Sequence, residues 1–249
     1  MDTRSLRKIW RKIFNLDWKL ALFLTLLFGG ARFVLVLSGA AGGDNSHVLR
    51  LFLVMWLVPV VFLSAKGRKE IGIRKVTKPI WLLYSFLLGG FFFVCTFLIF
   101  YLLYGYSMDN CFVYMARVYA VPPEVLETAR LQFFLLSATI SMLFSPVGEE
   151  LLYRGVIHAG FATNVGEKKA SLLDSLIFAI VHLPHFGILY IADKWTVPII
   201  PAILWFSAMF FLGRLFFVCK QMCGSIWGAV LAHAGFNFCM MYVTFYYIL

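Results

Sequence analysis

Glu149 and Glu150 sit side by side in the segment SPVGEELLYRG, directly after one of the most apolar stretches of a 249-residue chain. Adjacent residues on a helix point about 100° apart, so the two carboxylates face different surroundings. Glu150 and Arg154 are four residues apart and can pair on one helical face. The residue four beyond Glu149 is Tyr153, which offers a hydroxyl and no charge. The spacing therefore predicts one neutralised carboxylate, Glu150, and one left available as a proton acceptor, Glu149. Two further segments carry suitable partners. FAIVH places Phe178 and His182 on one helical face, and HAGFN does the same for His233 and Asn237.

A free carboxylate, two imidazoles and an amide suit hydrolysis by activated water. Glu149 would take the proton, His182 would position the water, and His233 with Asn237 would donate to the developing oxyanion. Glu149, His182 and His233 also make a catalytic zinc set with an open position for water. The spacing leaves both mechanisms open. The chain has no HExxH and no GxSxG motif, so the common zinc-protease and serine-hydrolase patterns are missing. A buried ion-pair network that only fixes helix packing is the competing reading of the glutamate–arginine cluster.

These residues need elements to hold them, and composition says which. The chain is 62% hydrophobic and 14% charged, with mean hydropathy +0.87. A soluble domain is nearer half apolar and a quarter charged, so this is an integral membrane protein. About seven apolar segments approach spanning length, near residues 20–41, 51–65, 80–104, 131–147, 172–191, 197–218 and 226–248. The second is short and can begin before Arg50. Ser145-Pro146 reads as a cap and first-turn proline that restart a helix, making Glu149 to Gly160 a short extra element. The expectation is an all-α, polytopic transmembrane bundle of seven to eight helices. Its catalytic cavity would open to the cytoplasmic half of the bilayer. One domain over residues 1–249 is expected, with a motif-bearing core at about 145–240.

The net charge of +10 does not require a nucleic acid partner. Of 22 Lys and Arg, all but Arg50, Arg117, Arg130, Lys194 and the intraspan Arg32 fall on one side of these spans. The positive-inside rule then puts the N-terminus in the cytoplasm and the C-terminus outside. Residues 1–19 read as a basic amphipathic segment on an anionic leaflet, or as a plain charged flank. Pro122 and Pro123 open a helix with Glu124 in its first turn. The five cysteines form no CxxC pair and read as free thiols. Arg32 and Arg214 read as snorkelling or pairing cations. Asp174 reads as a helix-start carboxylate. His185 reads as a loop or hydrogen-bonding histidine, with a second cavity residue as the alternative, and His158 and His47 carry no functional signal.

EELLYR, FAIVH and HAGFN, in that order, match EExxxR, FxxxH and HxxxN. That set resembles the CAAX protease and bacteriocin-processing family (CPBP, or Abi), including the type II CAAX prenyl endopeptidases. The resemblance implies an all-helical membrane protease cleaving a peptide bond near the cytoplasmic face. It implies that Glu149 and His182 carry the hydrolysis and that His233 and Asn237 serve the oxyanion. It leaves glutamate and metallo mechanisms open, with zinc as the divalent metal in the second. It implies a peptide or protein substrate, either a lipidated CAAX protein or a bacterial peptide precursor, with membrane lipids around it. A bacterial or archaeal plasma membrane is the expected location. Two other readings are a non-catalytic scaffold or immunity factor of the same family, and a small proton-coupled transporter. The transporter would need half-repeats with broken helices, which the sequence does not show.

Overall fold

The computed structural model describes residues 5–44, 46–118 and 121–249. Arg4, among the N-terminal cations, lies outside them. Helix α1 (Trp18–Ala40) begins at Asp17, whose carboxylate accepts from the backbone N–H of Lys19 and Leu20. Helix α2 (Ser46–Phe62) runs back, and the short α3 (Ala65–Glu70) lies in the basic connection. Helix α4 (Ile80–Tyr104) crosses again and is followed by the short α5 (Cys111–Val118). Helix α6 (Pro123–Val165) is 43 residues long, and α7 (Glu167–Ile180) turns back from it. A hairpin of β1 (Leu189–Ile191) and β2 (Lys194–Thr196) precedes α8 (Ile199–Cys223) and α9 (Ile226–Ile248).

Five of these helices, α1, α4, α6, α8 and α9, are long and apolar enough to cross a membrane. The protein is a helical membrane bundle. Its outward faces are apolar, as at Phe91 and Leu102, because lipid rather than water surrounds them. Helices in lipid gain little from burying apolar surface and associate by close packing, so small residues mark their contacts. Gly89 of α4 lies against the carbonyl of Ala232, and Gly235 of α9 lies against the carbonyl of Phe86. A side chain at either glycine would push α4 and α9 apart.

Backbone contacts define the two ends of the bundle. At one end the Ile226 N–H donates to the Gly72 carbonyl at 2.9 Å, and the Trp18 N–H donates to Asn164 Oδ1 at 3.1 Å. At the other, the Tyr106 hydroxyl donates to the Tyr247 carbonyl and the Tyr190 N–H donates to the Tyr114 hydroxyl. The first end carries the basic 66–78 connection.

Several expectations need correction. The segment near 172–191 is not one span: α7 stops at Ile180, and the chain turns through Pro184 and Gly187 before the hairpin. Gly187 has φ of 129°, which a helix cannot use. Ser145-Pro146 does not restart a helix. The backbone continues through Pro146 to Glu150, passes through a π-helical stretch at Leu151–Ile157, and resumes to Val165. Glu149 and Glu150 are therefore interior to α6, not at a positive helix end. In the N-terminal segment ahead of α1 the described residues form a 3-10 turn at Trp10–Lys12 and a bridge between Leu6 and Leu63, not an amphipathic α-helix. Trp10 stacks on Phe62, with ring centroids 4.9 Å apart, and Leu6 is buried. The start at Pro123, the extension of the second span back to Ser46 and the five free cysteines agree with expectation.

Candidate active site

The two glutamates point into separate networks, as the 100° offset requires. Both are fully buried. Glu150 Oε1 is 3.4 Å from Arg154 Nη1 and accepts from His233 Nδ1 at 2.9 Å. A carboxylate only accepts, so the proton of that bond belongs to the histidine. Arg154 also lies 3.7 Å from Asp174 through Nε. Its guanidinium packs over Phe178 at 4.1 Å and Phe216 at 5.2 Å, a cation–π arrangement on two rings. Gly213 makes that burial possible, because a Cβ there would meet Arg154 Nη2.

This network runs onward to the basic end. Asp174 is not a solvated helix-start carboxylate. It is buried, and Oδ2 accepts from His158 Nδ1 at 2.6 Å. His158 Nε2 faces Glu167 at 2.9 Å, so a histidine that the sequence left without a role bridges two carboxylates. Arg214 donates to the Ser171 hydroxyl and lies over Phe217, which fits a pairing cation.

Glu149 belongs to the other network. Its Oε1 accepts from the Ser145 hydroxyl at 3.0 Å, so Ser145 orients the carboxylate instead of capping a helix. The same oxygen is 3.2 Å from Arg32 Nη2. The expectation of a carboxylate without its own cation is wrong, because a guanidinium from α1 reaches it. Tyr153, four residues on, has a buried hydroxyl with no hydrogen bond and does not serve Glu149. Glu149 Oε2 also has no hydrogen bond and lies 3.7 Å from His182 Nε2. His182 Nδ1 donates to the Phe178 carbonyl at 2.6 Å. Because a carbonyl only accepts, that bond fixes the proton on Nδ1 and leaves Nε2 with a lone pair.

His182, His233 and Asn237 line a cavity of about 360 Å³, together with Arg32, His185 and Ser145. Asn237 donates through Nδ2 to the Ser141 carbonyl at 2.8 Å, which holds the amide in place. The cavity is mostly apolar, with walls from Phe52, Phe144, Trp205 and Met240. His182 lies two residues past the end of α7, 15 residues from its start. Val48, Met115, His185 and Met240 extend the lining toward the end opposite the basic connection.

A metal held by Glu149, His182 and His233 does not fit this arrangement. The lone pair of His182 Nε2 faces Arg32 Nη2 at 3.0 Å, and Glu149 Oε1 faces the same nitrogen at 3.2 Å. No group of three His, Cys, Asp or Glu side chains among the described residues converges as a metal set. Sequence reasoning named Glu149, His182, His233 and Asn237, and it offered Arg32 as a pairing cation and His185 as a second cavity residue without joining either to Glu149. The available signal was a cation in the first span with no partner in its own helix.

Residues 131–239 match the family model described as type II CAAX prenyl endopeptidase Rce1-like. No curated protein and no solved structure matches the chain. The matched segment holds all three motifs and leaves out Arg32. Over residues 131–239 the chain is similar to the Rce1-like proteins, consistent with the CAAX protease and bacteriocin-processing family.

Proposed function

We propose that this protein is an intramembrane endopeptidase that hydrolyses a peptide bond with water activated by Glu149. The observation that carries the reading is the pair of Glu149 Oε2, without a hydrogen bond, and His182 Nε2, 3.7 Å away at the cavity wall. A water lodged between them loses a proton to Glu149, and its oxygen adds to the scissile carbonyl carbon. Asn237, already anchored on Ser141, keeps a second amide hydrogen for the oxyanion. His233 donates through Nε2 when it is protonated, with Glu150 beside Nδ1 to balance the charge. The C–N bond then breaks, the proton on Glu149 passes to the leaving nitrogen, and an acid and an amine are released.

The apolar cavity suits a substrate segment drawn from the membrane, either a lipidated CAAX-type protein or a bacterial peptide precursor. The N-terminus is read as cytoplasmic in a plasma membrane, on the distribution of Lys and Arg. Mass spectrometry of peptides from membranes carrying wild-type or Glu149→Ala protein tests the function. A set of cleavage products present only with the wild type is expected, and identical peptide profiles would sink the reading.

A further inference from the structure

Arg32 Nη2 has three potential acceptors around one point. Glu149 Oε1 is 3.2 Å away, His182 Nε2 is 3.0 Å and His185 Nε2 is 3.1 Å. Arg32 Nη1 donates to the Val181 carbonyl at 3.3 Å, which ties the guanidinium to the turn that ends α7. Arg32 is 3% exposed and lines the cavity. A carboxylate and two imidazoles are the donor types of a catalytic zinc, but around Arg32 they are not placed to hold a metal ion. Here the point they surround holds a guanidinium nitrogen at hydrogen-bond distances, not the roughly 2.0–2.2 Å of zinc coordination.

We propose that Arg32 is the fixed cation of the site, a positioning residue standing where the donor set would otherwise gather a metal. This rests on the hydrolytic reading above. Arg32 does three things there. It compensates the buried charge of Glu149, which burial without a partner would make costly. It meets the lone pair of His182, complementing the Phe178 carbonyl that holds the opposite nitrogen. It also leaves one acceptor exchangeable, because the two hydrogens of Nη2 cannot serve three acceptors at once. The released acceptor is then open to the attacking water. Arg32 comes from α1, outside the matched segment, so the motif-bearing half of the chain is incomplete without the first span.

Two measurements on purified full-length protein test this. In the first, zinc is added, the excess is removed and bound metal is counted. Wild type is expected to retain no zinc that depends on His182. Arg32→Ala is expected to gain about one zinc per chain, lost again when His182→Ala is added. One zinc per wild-type chain, lost in His182→Ala, would overturn the proposal. So would an Arg32→Ala protein that folds and gains none.

In the second, a quenched-fluorescence peptide ending in a prenylated CAAX-type sequence is the probe. Arg32→Ala is expected to lose kcat on the order of 10²-fold with KM little changed. Added guanidinium ion should restore part of the rate, which it would not do for a misfolded protein. Arg32→Lys keeps the charge but not the planar fork, so it should fold, stay free of zinc and remain slow. Full activity in Arg32→Ala, with Glu149→Ala inactive, would overturn the role of Arg32 and leave the hydrolytic reading standing. No cleavage by wild type would count against the CAAX-type substrate, and the zinc measurement would still decide the place of Arg32.

Discussion

Glu149 and Glu150 are neighbours in the chain, yet Glu149 faces Arg32 of α1 while Glu150 faces Arg154 of its own helix. Two buried carboxylates in succession are tolerable in a membrane because each has its own guanidinium. The division also separates roles. Glu149 sits behind the cavity wall beside His182, which lines it, and Glu150 sits in a polar chain through Arg154, Asp174 and His158.

The two glutamates should therefore fail differently. Glu149→Gln should lower turnover by about 10²–10⁴-fold, the usual worth of a general base, in a well-folded protein. Glu150→Gln leaves Arg154 with a weakened partner set and should cost about 3–5 kcal/mol of stability. Cleavage rate and thermal unfolding in detergent, measured on both variants, check this. Retained turnover in Glu149→Gln, with loss only in a stable Glu150→Gln, would reverse the assignment.

Gly213 and Gly30 provide a packing contrast. A Cβ at Gly213 meets Arg154 Nη2 and lies 3.1 Å from Ser175 Cβ. Gly213→Ala should cost about 1–3 kcal/mol, the range for overpacking. At Gly30 nothing lies within 4 Å of an added Cβ. Gly30→Ala should leave the Tm unchanged or raise it, since alanine suits a helix interior better. Equal Tm shifts for both would show that Arg154 is not confined against α8.

Phe178 lies under Arg154 at 4.1 Å and beside the His182 ring at 4.1 Å between centroids. Phe178→Leu keeps an apolar side chain but removes the ring face. The loss should be about 2 kcal/mol, the scale of a desolvated cation–π contact. A double-mutant cycle with Arg154→Met isolates that term, and a coupling near zero would refute it.

Orientation follows from charge. Lys75 lies at the basic end of the bundle and Ser107 at the other, both exposed. In a cysteine-free background, Ser107→Cys should react with an impermeant maleimide on intact cells. Lys75→Cys should react only after the membrane is opened. The reverse pattern would invert the topology. It would also bring the cavity lining at Val48, Met115 and Met240 to the cytoplasmic half.

The membrane class, the order of the long spans and the pairing of Glu150 with Arg154 were legible because each depends on nearby residues. Hydropathy needs only a run of apolar side chains, and an i, i+4 pair needs only a helix. The helix through Pro146 was not legible. A proline ends a helix when its freed carbonyl has no other support, and only the packed bundle shows that the backbone continues here.

What the sequence by itself determined is a set of candidate residues for the chemistry and that adjacent glutamates diverge. What only the tertiary structure decided is the company each keeps. Arg32 lies more than a hundred positions before Glu149, and no periodicity links α1 to α6. Their contact exists because intramembrane charges must find partners inside the bundle, and helix packing decides which cation comes within reach.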